Sequence, residues 1–103
     1  VKDGIKIKII DTDEIYKITF EDGFSFVYTN EGRFLSEKYL NEFEEILKNG
    51  DFFRANRNDI VNLKYVSSIH PMFKGSYSIE LKNKSFISLS RRRVKELRKI
   101  INF

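Results

Sequence analysis

Ile15-Tyr16-Lys17-Ile18-Thr19-Phe20-Glu21-Asp22-Gly23-Phe24-Ser25-Phe26-Val27-Tyr28-Thr29 carries the fold in its pattern. β-Branched and aromatic residues fill both halves, and Glu21-Asp22-Gly23 between them is turn chemistry. The stretch therefore reads as two antiparallel strands closed into a hairpin. Asn30-Glu31-Gly32 supplies the next turn, with Arg33-Phe34-Leu35 a short strand beyond it. Upstream, Ile5, Ile7 and Ile9 alternate with Lys6 and Lys8, the period of a half-buried strand. Downstream, short strands are expected near Phe52–Arg54, Asp59–Val61 and Val66–His70. Pro71 to Ser76 reads as a loop, and Tyr77–Leu81 is expected to pair with Ser85–Leu89 across Lys82-Asn83-Lys84.

Two helices interrupt this series. Ser36 fits an N-cap, with Glu37 placed to meet the helix dipole. Tyr39, Leu40, Phe43, Ile46 and Leu47 then recur at helical spacing as one apolar face, and Asn49-Gly50 supplies the stop. A last helix runs from Ser90 toward Ile101, with Val94, Leu97 and Ile100/Ile101 as its buried stripe. The fold class is mostly β, with one or two short α-helices.

At 103 residues the chain is one small domain, with no linker, repeat or low-complexity tract. No cysteine is present, so disulfides, thiolate metal sites and a cysteine nucleophile are excluded. The single histidine, His70, argues against a histidine-based metal site or triad. No apolar run approaches the roughly 20 residues of a membrane span, and no signal peptide is visible. A cytoplasmic protein is expected, and the initial Val points to a fragment of a longer chain.

The net charge of +4 conceals an asymmetry. Residues 1–50 hold 7 basic and 11 acidic side chains, whereas residues 51–103 hold 12 and 4. A basic half of this kind suggests an anionic partner, most often nucleic acid.

Two basic segments concentrate that charge: Phe52-Phe53-Arg54-Ala55-Asn56-Arg57-Asn58-Asp59-Ile60-Val61-Asn62 and Ser88-Leu89-Ser90-Arg91-Arg92-Arg93-Val94-Lys95-Glu96-Leu97. In the second, Ser90 would cap a helix whose first turn is Arg91-Arg92-Arg93. Cations there oppose the helix dipole by about 0.3–1 kcal/mol each. An arriving anion reverses that sign, because orphan N–H groups and guanidinium forks converge on it. The plainer reading is a solvated surface whose long side chains cover the core rim; contact with phosphate or base is preferred. In the first segment, Arg57 suits guanine and Asn56 and Asn58 suit adenine, but Asn-Arg-Asn-Asp is also ordinary turn chemistry, and from the tetrad alone a turn is the preferred reading. Asn62 reads as structural, and Arg54 as a partner for an acidic neighbour. Lys74 is offered to a phosphate by its loop, as Lys64 and Lys84 are more generically. At the hairpin tip only Gly23 and Phe24 suit close approach to a groove, since Glu21 and Asp22 repel phosphate.

A search for catalytic chemistry finds no Gly-rich phosphate loop, nucleophile elbow or metal-ligand spacing. The carboxylate pairs Asp11/Asp13, Glu21/Asp22 and Glu44/Glu45 are explained by solvation. No enzyme, cofactor or metal is expected.

Taken in order, the two basic segments resemble the LytTR-type DNA-binding domain of bacterial response regulators, over about Ile5 to Ile101. The resemblance rests on Phe52, Arg54, Arg57, Val61 and Asn62, then Ser90-Arg91 with Val94 and Leu97. It implies an elongated β-sheet domain spanning 1–103, the C-terminal part of a regulator whose receiver domain is absent here. It implies loops entering successive major grooves of promoter DNA, direct repeats as targets, and dimerisation on DNA in the full-length protein. By motif position, Arg57 and Arg92 contact bases, and Arg91, Arg93 and Asn58 lie beside them on backbone. The acidic helix face (Glu42, Glu44, Glu45) is then expected to point away from DNA. Asn56 and Asn58 stand where the family often has His and Ser, and Asp59 replaces a common aromatic, which puts base preference at this loop in question. Two other classes compete. Ten Phe and five Tyr could make a non-specific RNA or single-strand module, and the acidic helix with a free strand edge could make a protein-interaction domain.

Overall fold

Asp22 and Gly23 both take left-handed backbone, with φ of 53° and 84°. That is what a two-residue hairpin turn matched to strand twist demands. The turn joins β1 (Ile15–Glu21) to β2 (Phe24–Thr29) in antiparallel register, with Glu21 opposite Phe24 and Ile18 opposite Val27. The computed structural model describes residues 7–103. After β2 come β3 (Gly32–Ser36), α1 (Leu40–Ile46), β4 (Phe52–Asn56), β5 (Asp59–Asn62), β6 (Val66–Pro71), β7 (Tyr77–Leu81), β8 (Phe86–Leu89) and α2 (Arg91–Ile100). Five strands form one antiparallel sheet in the order β3-β2-β1-β5-β4, and β6-β7-β8 form a second. The body is elongated, 52 × 26 × 23 Å.

At β4 and β5 the five-stranded sheet is covered on both faces, and β5 records this in its sequence. Ile60 points to the α1 side, joining Ile15, Ile18, Val27, Leu40 and Leu47. Val61 points the other way, joining Phe53 and Ala55 against Ile79, Leu81, Ile87 and Leu89 and against Val94 and Leu97 of α2. Successive strand residues face opposite sides, so consecutive apolar residues mark a strand covered twice. Asn62 ends β5 at 2% exposure. Its Nδ2 donates to Ile15 O at 2.8 Å and its Oδ1 accepts from Lys64 N–H at 3.0 Å, the structural role expected of it.

Several expectations are corrected. Residues 7–10 carry no regular structure, and the rest of the strand expected over Ile5–Ile9 lies outside the described residues. Ser36 does not cap α1. It ends β3, and its Oγ accepts from Lys38 N–H at 3.2 Å, a local bond that competes with helix. The helix starts at Leu40, where the Glu42 carboxylate accepts from Tyr39 N–H at 2.8 Å. Its two turns rest on the sheet through Leu40, Phe43 and Leu47 alone; Tyr39 and Ile46 fall beside that stripe and stay 60% exposed. In α2, Val94 and Leu97 are buried and Ile101 packs against them, but Ile100 is exposed. Among the described residues, no helix is long and apolar enough to cross a membrane.

Candidate nucleic-acid interface

The site begins with a bulge. β4 and β5 pair as Arg54 opposite Ile60 and Asn56 opposite Asp59, leaving Ala55 as an extra residue in the ladder. Bulges re-aim the chain beside functional sites. Here the Ala55 carbonyl accepts from Ser90 N–H at 3.0 Å. Asn56 Nδ2 reaches the same neighbour, donating to Ser88 O at 2.6 Å. The two basic segments are thus stitched together at the end of β8, where α2 begins.

Between Asn56 and Asp59 the tight turn Arg57-Asn58 is held from every side. Asn56 Oδ1 accepts from Asn58 N–H at 2.7 Å, and Asn58 O accepts from Phe20 N–H at 2.8 Å. Asp59 accepts from Thr19 Oγ1 at 2.7 Å and from Asn56 Nδ2 at 3.0 Å. Arg54 closes the arrangement. Its Nε donates to Asn56 O at 2.9 Å, its second terminal nitrogen donates to Arg57 O at 2.6 Å, and its first donates to Glu44 Oε1 at 2.7 Å. Glu44 therefore bonds Arg54, which corrects the expectation for that one residue of the acidic face, whereas Glu45 pairs with Lys48 at the surface. The Asn56 amide is occupied within the fold, while the side chains of Arg57 and Asn58 are exposed.

Ser90 sits at the N-cap of α2 with extended backbone (φ −68°, ψ 149°), yet its hydroxyl makes no capping bond. The first turn behind it is uncapped and purely cationic. Arg91 and Arg92 are exposed. Arg93 differs: its side chain is 23% exposed and pairs with Glu96 at 3.1 Å. Among the described residues, Arg57, Arg91, Arg92 and Lys74 form no ion pair, so each keeps its charge available to a ligand.

Lys74 joins this cluster through the β6–β7 connection. Arg91 donates to Lys74 O at 3.4 Å, and Lys74 itself takes left-handed backbone (φ 58°). Phe24 is 46% exposed at the start of β2, on the hairpin adjoining the Asn58 side of β1. The strand register puts all four connections at the same end of their strands, in the order β1–β2 hairpin, β4–β5 turn, α2 N-terminus, β6–β7 loop. Lys64 lies elsewhere, between Asp13 and Asp51 at 3.5 and 3.7 Å. Sequence reasoning missed the Thr19–Asp59–Asn56–Ser88 chain, which joins four strands that no local pattern connects.

Behind the β6–β7 loop, Ser68, His70 and Glu80 gather on the three-stranded sheet. The hydrogen bond from His70, then that from Ser68, holds the Glu80 carboxyl below its ordinary range. Ser68 Oγ and Glu80 Oε1 both meet the same His70 Nε2, at 3.0 and 2.8 Å. A nucleophilic relay needs the two ring nitrogens to serve opposite partners, so this trio is not one.

The β4–β5 turn and the first turn of α2 thus bring guanidinium groups without ion-pair partners among the described residues to one end of a mostly-β, two-sheet scaffold. The family model for the LytTr DNA-binding domain matches residues 5–102. The chain belongs to that family, and it is a DNA-binding domain of the kind found in transcriptional regulators. It is 34% identical over 99 residues to the sensory transduction protein LytT of Bacillus subtilis (strain 168), covering 96% of this chain and 41% of that protein. It is 32% identical over 103 residues to the transcriptional regulatory protein YpdB of Escherichia coli (strain K12), covering 99% and 42%. A solved LytTr DNA-binding domain of a response regulator from Bacillus cereus has the same fold, at a TM-score of 0.85 and 22% identity, over 91% of this chain and 86% of that one. The chain spans about two-fifths of the length of the curated relatives it matches.

Proposed function

We propose that the domain reads a specific sequence in double-stranded promoter DNA through the end of the fold where its basic segments meet. The observation that carries this reading is the stitching of the β4–β5 turn to the start of α2. Asn56 donates to Ser88 O and Ser90 N–H to Ala55 O, leaving Arg57, Arg91 and Arg92 at one end of the fold without acidic partners. Arg57 and Arg92 contact guanine O6/N7 in the major groove. Arg91 and the N–H groups of the first α2 turn bind a phosphate, and Lys74 binds another. Asn58 lies on backbone beside Arg57. Asn56 positions the turn, since its amide is already engaged, and Arg93 is steadied by Glu96 within reach of the same strand. Phe24 approaches the groove edge from the hairpin.

The parent protein is a two-component response regulator of the cytoplasm. This domain is its output module, dimerises on direct repeats and obeys a receiver domain. The supports are the likeness to LytT and YpdB and the two-fifths share of their length. Selection from random duplex DNA, followed by binding isotherms at several salt concentrations, tests the DNA reading. Specific sites should bind at least about 10³-fold tighter than random duplex. A steep salt slope with no enriched motif would leave only phosphate neutralisation.

A further inference from the structure

The β6–β7 connection presents what a soluble surface ordinarily hides. Met72 is 56% exposed and Phe73 is 81% exposed, at the tip of a loop fixed by Met72 N–H to Ser76 O at 2.8 Å and Ser76 Oγ to Phe73 O at 2.9 Å. The loop is therefore ordered, and its two largest apolar side chains face outward. Cations surround them: Lys74 Nζ lies 5.5 Å from the Phe73 ring centroid, and Arg91 donates to Lys74 O. Glu80, the one acidic side chain of β6–β8, is tied to His70 and Ser68 on the sheet, and the first turn of α2 carries none.

An apolar tip flanked by Lys74 and Arg91 matches one occupant, a polyanion with an apolar interior. Duplex DNA offers that interior between base steps on the minor-groove side, where Phe and Met wedges unstack and kink the helix. Distance agrees. The loop joins β7 to β6, one and two strands beyond β8 in the row β8-β7-β6, about 5–10 Å at ordinary strand spacing. Its own length carries it further, enough to cross the phosphate backbone bordering a major groove about 12 Å wide.

We propose that Phe73, supported by Met72, is an apolar wedge that enters the minor groove flanking the major groove read by Arg57 and Arg92, opening a base step and bending the duplex. This rests on the promoter-reading function above. Specificity then includes the deformability of a step that no polar side chain contacts.

The test uses the 103-residue chain and its selected duplex, with 2-aminopurine placed step by step through the flanks. The parent should raise the fluorescence at one flanking step and bend the duplex in an end-to-end energy-transfer assay. F73A should lose both signals and bind about tenfold more weakly, as expected for one lost stacking contact, at an unchanged melting temperature. F73W should restore both. K74A should reduce the salt slope by about one while keeping the bend. Binding by F73A with the parent's fluorescence, bend and affinity overturns the wedge while the DNA reading stands. A parent that selects no duplex at all removes both.

Discussion

Arg54 reaches no solvent-facing ligand, yet replacing it should weaken DNA binding strongly. Its side chain is 16% exposed and lies across the back of the turn that displays Arg57, donating to Asn56 O, Arg57 O and Glu44. Arg54→Met keeps the aliphatic stem and removes the donors. Two hydrogen bonds from a charged group are worth about 1.5 kcal/mol each at the low end, and the half-exposed Glu44 pair adds under about 1 kcal/mol. The Arg57 carbonyl regains water at the surface, so a net destabilisation of about 2 kcal/mol is expected. Binding suffers separately. Freed of its clamp, the turn must order Arg57 and Asn58 on association, at about 1 kcal/mol or more of backbone entropy each. That sum corresponds to about 30-fold in affinity. Denaturant titration and binding isotherms at several salt concentrations measure the two effects. The salt slope should hold, because Arg54 is turned into the fold. An unchanged affinity would refute preorganisation of the turn, and a slope reduced by about 0.9 would make Arg54 a phosphate ligand instead.

Other substitutions separate reading, anchoring and stability. Arg57→Ala and Arg92→Ala should each lose about 1–3 kcal/mol of specific binding and relax preference at one base position, seen by repeating the duplex selection. Arg91→Ala should weaken all duplexes alike and lower the salt slope by about one. Asn62→Ala strands the buried Ile15 carbonyl and Lys64 N–H, and thermal or urea unfolding should register a loss of about 2–3 kcal/mol. Glu80 titrates below its ordinary range because His70 and then Ser68 hydrogen-bond to it. A depressed carboxyl stabilises the fold fully above the unfolded value of about 4.3 and loses that contribution as pH falls through the lower folded value. Glu80→Gln should therefore lower stability at neutral pH, and the difference from the parent should vanish as pH falls through the lower folded value; a parallel shift across the whole range would contradict this.

Much of the scaffold was legible because its signals are local. Asp22-Gly23 demands a hairpin wherever it lies between β-branched runs, and Asp59–Val61 reads as a strand before a structural Asn62. The start of α1 was misread because Ser36 has two local uses, and its hydroxyl bonds Lys38 N–H rather than a helix terminus. Glu42, three residues after Tyr39, is the reciprocal half of a capping box and held the better signal. The position of Glu44 against Arg54 was beyond local reading. It depends on how a two-turn helix is laid across β4, and charge pattern alone points acidic residues to solvent. The Asn56 and Asp59 network was hidden for the same reason, since its partners Thr19 and Ser88 come from strands far apart in sequence.

The cationic first turn of α2 shows how a local violation survives in a folded domain. Arg91, Arg92 and Arg93 oppose the dipole by about 0.3–1 kcal/mol each, and Ser90 gives no compensating cap. Val94 and Leu97 are buried one turn further on, each worth about 1.5–3 kcal/mol, and Ser90 N–H is anchored to Ala55 O. Tertiary packing thus holds a helix whose first turn would fray in isolation. The unfavourable term is stored where a phosphate can relieve it, because an anion at that terminus pairs with the arginines and accepts from the orphan N–H groups at once. Any ligand that binds only the folded state raises stability by mass action. Since relief of the dipole conflict adds to the contacts themselves, the stabilisation conferred by duplex DNA should shrink when Arg91 and Arg92 are both replaced by Gln, even as the free domain becomes more stable.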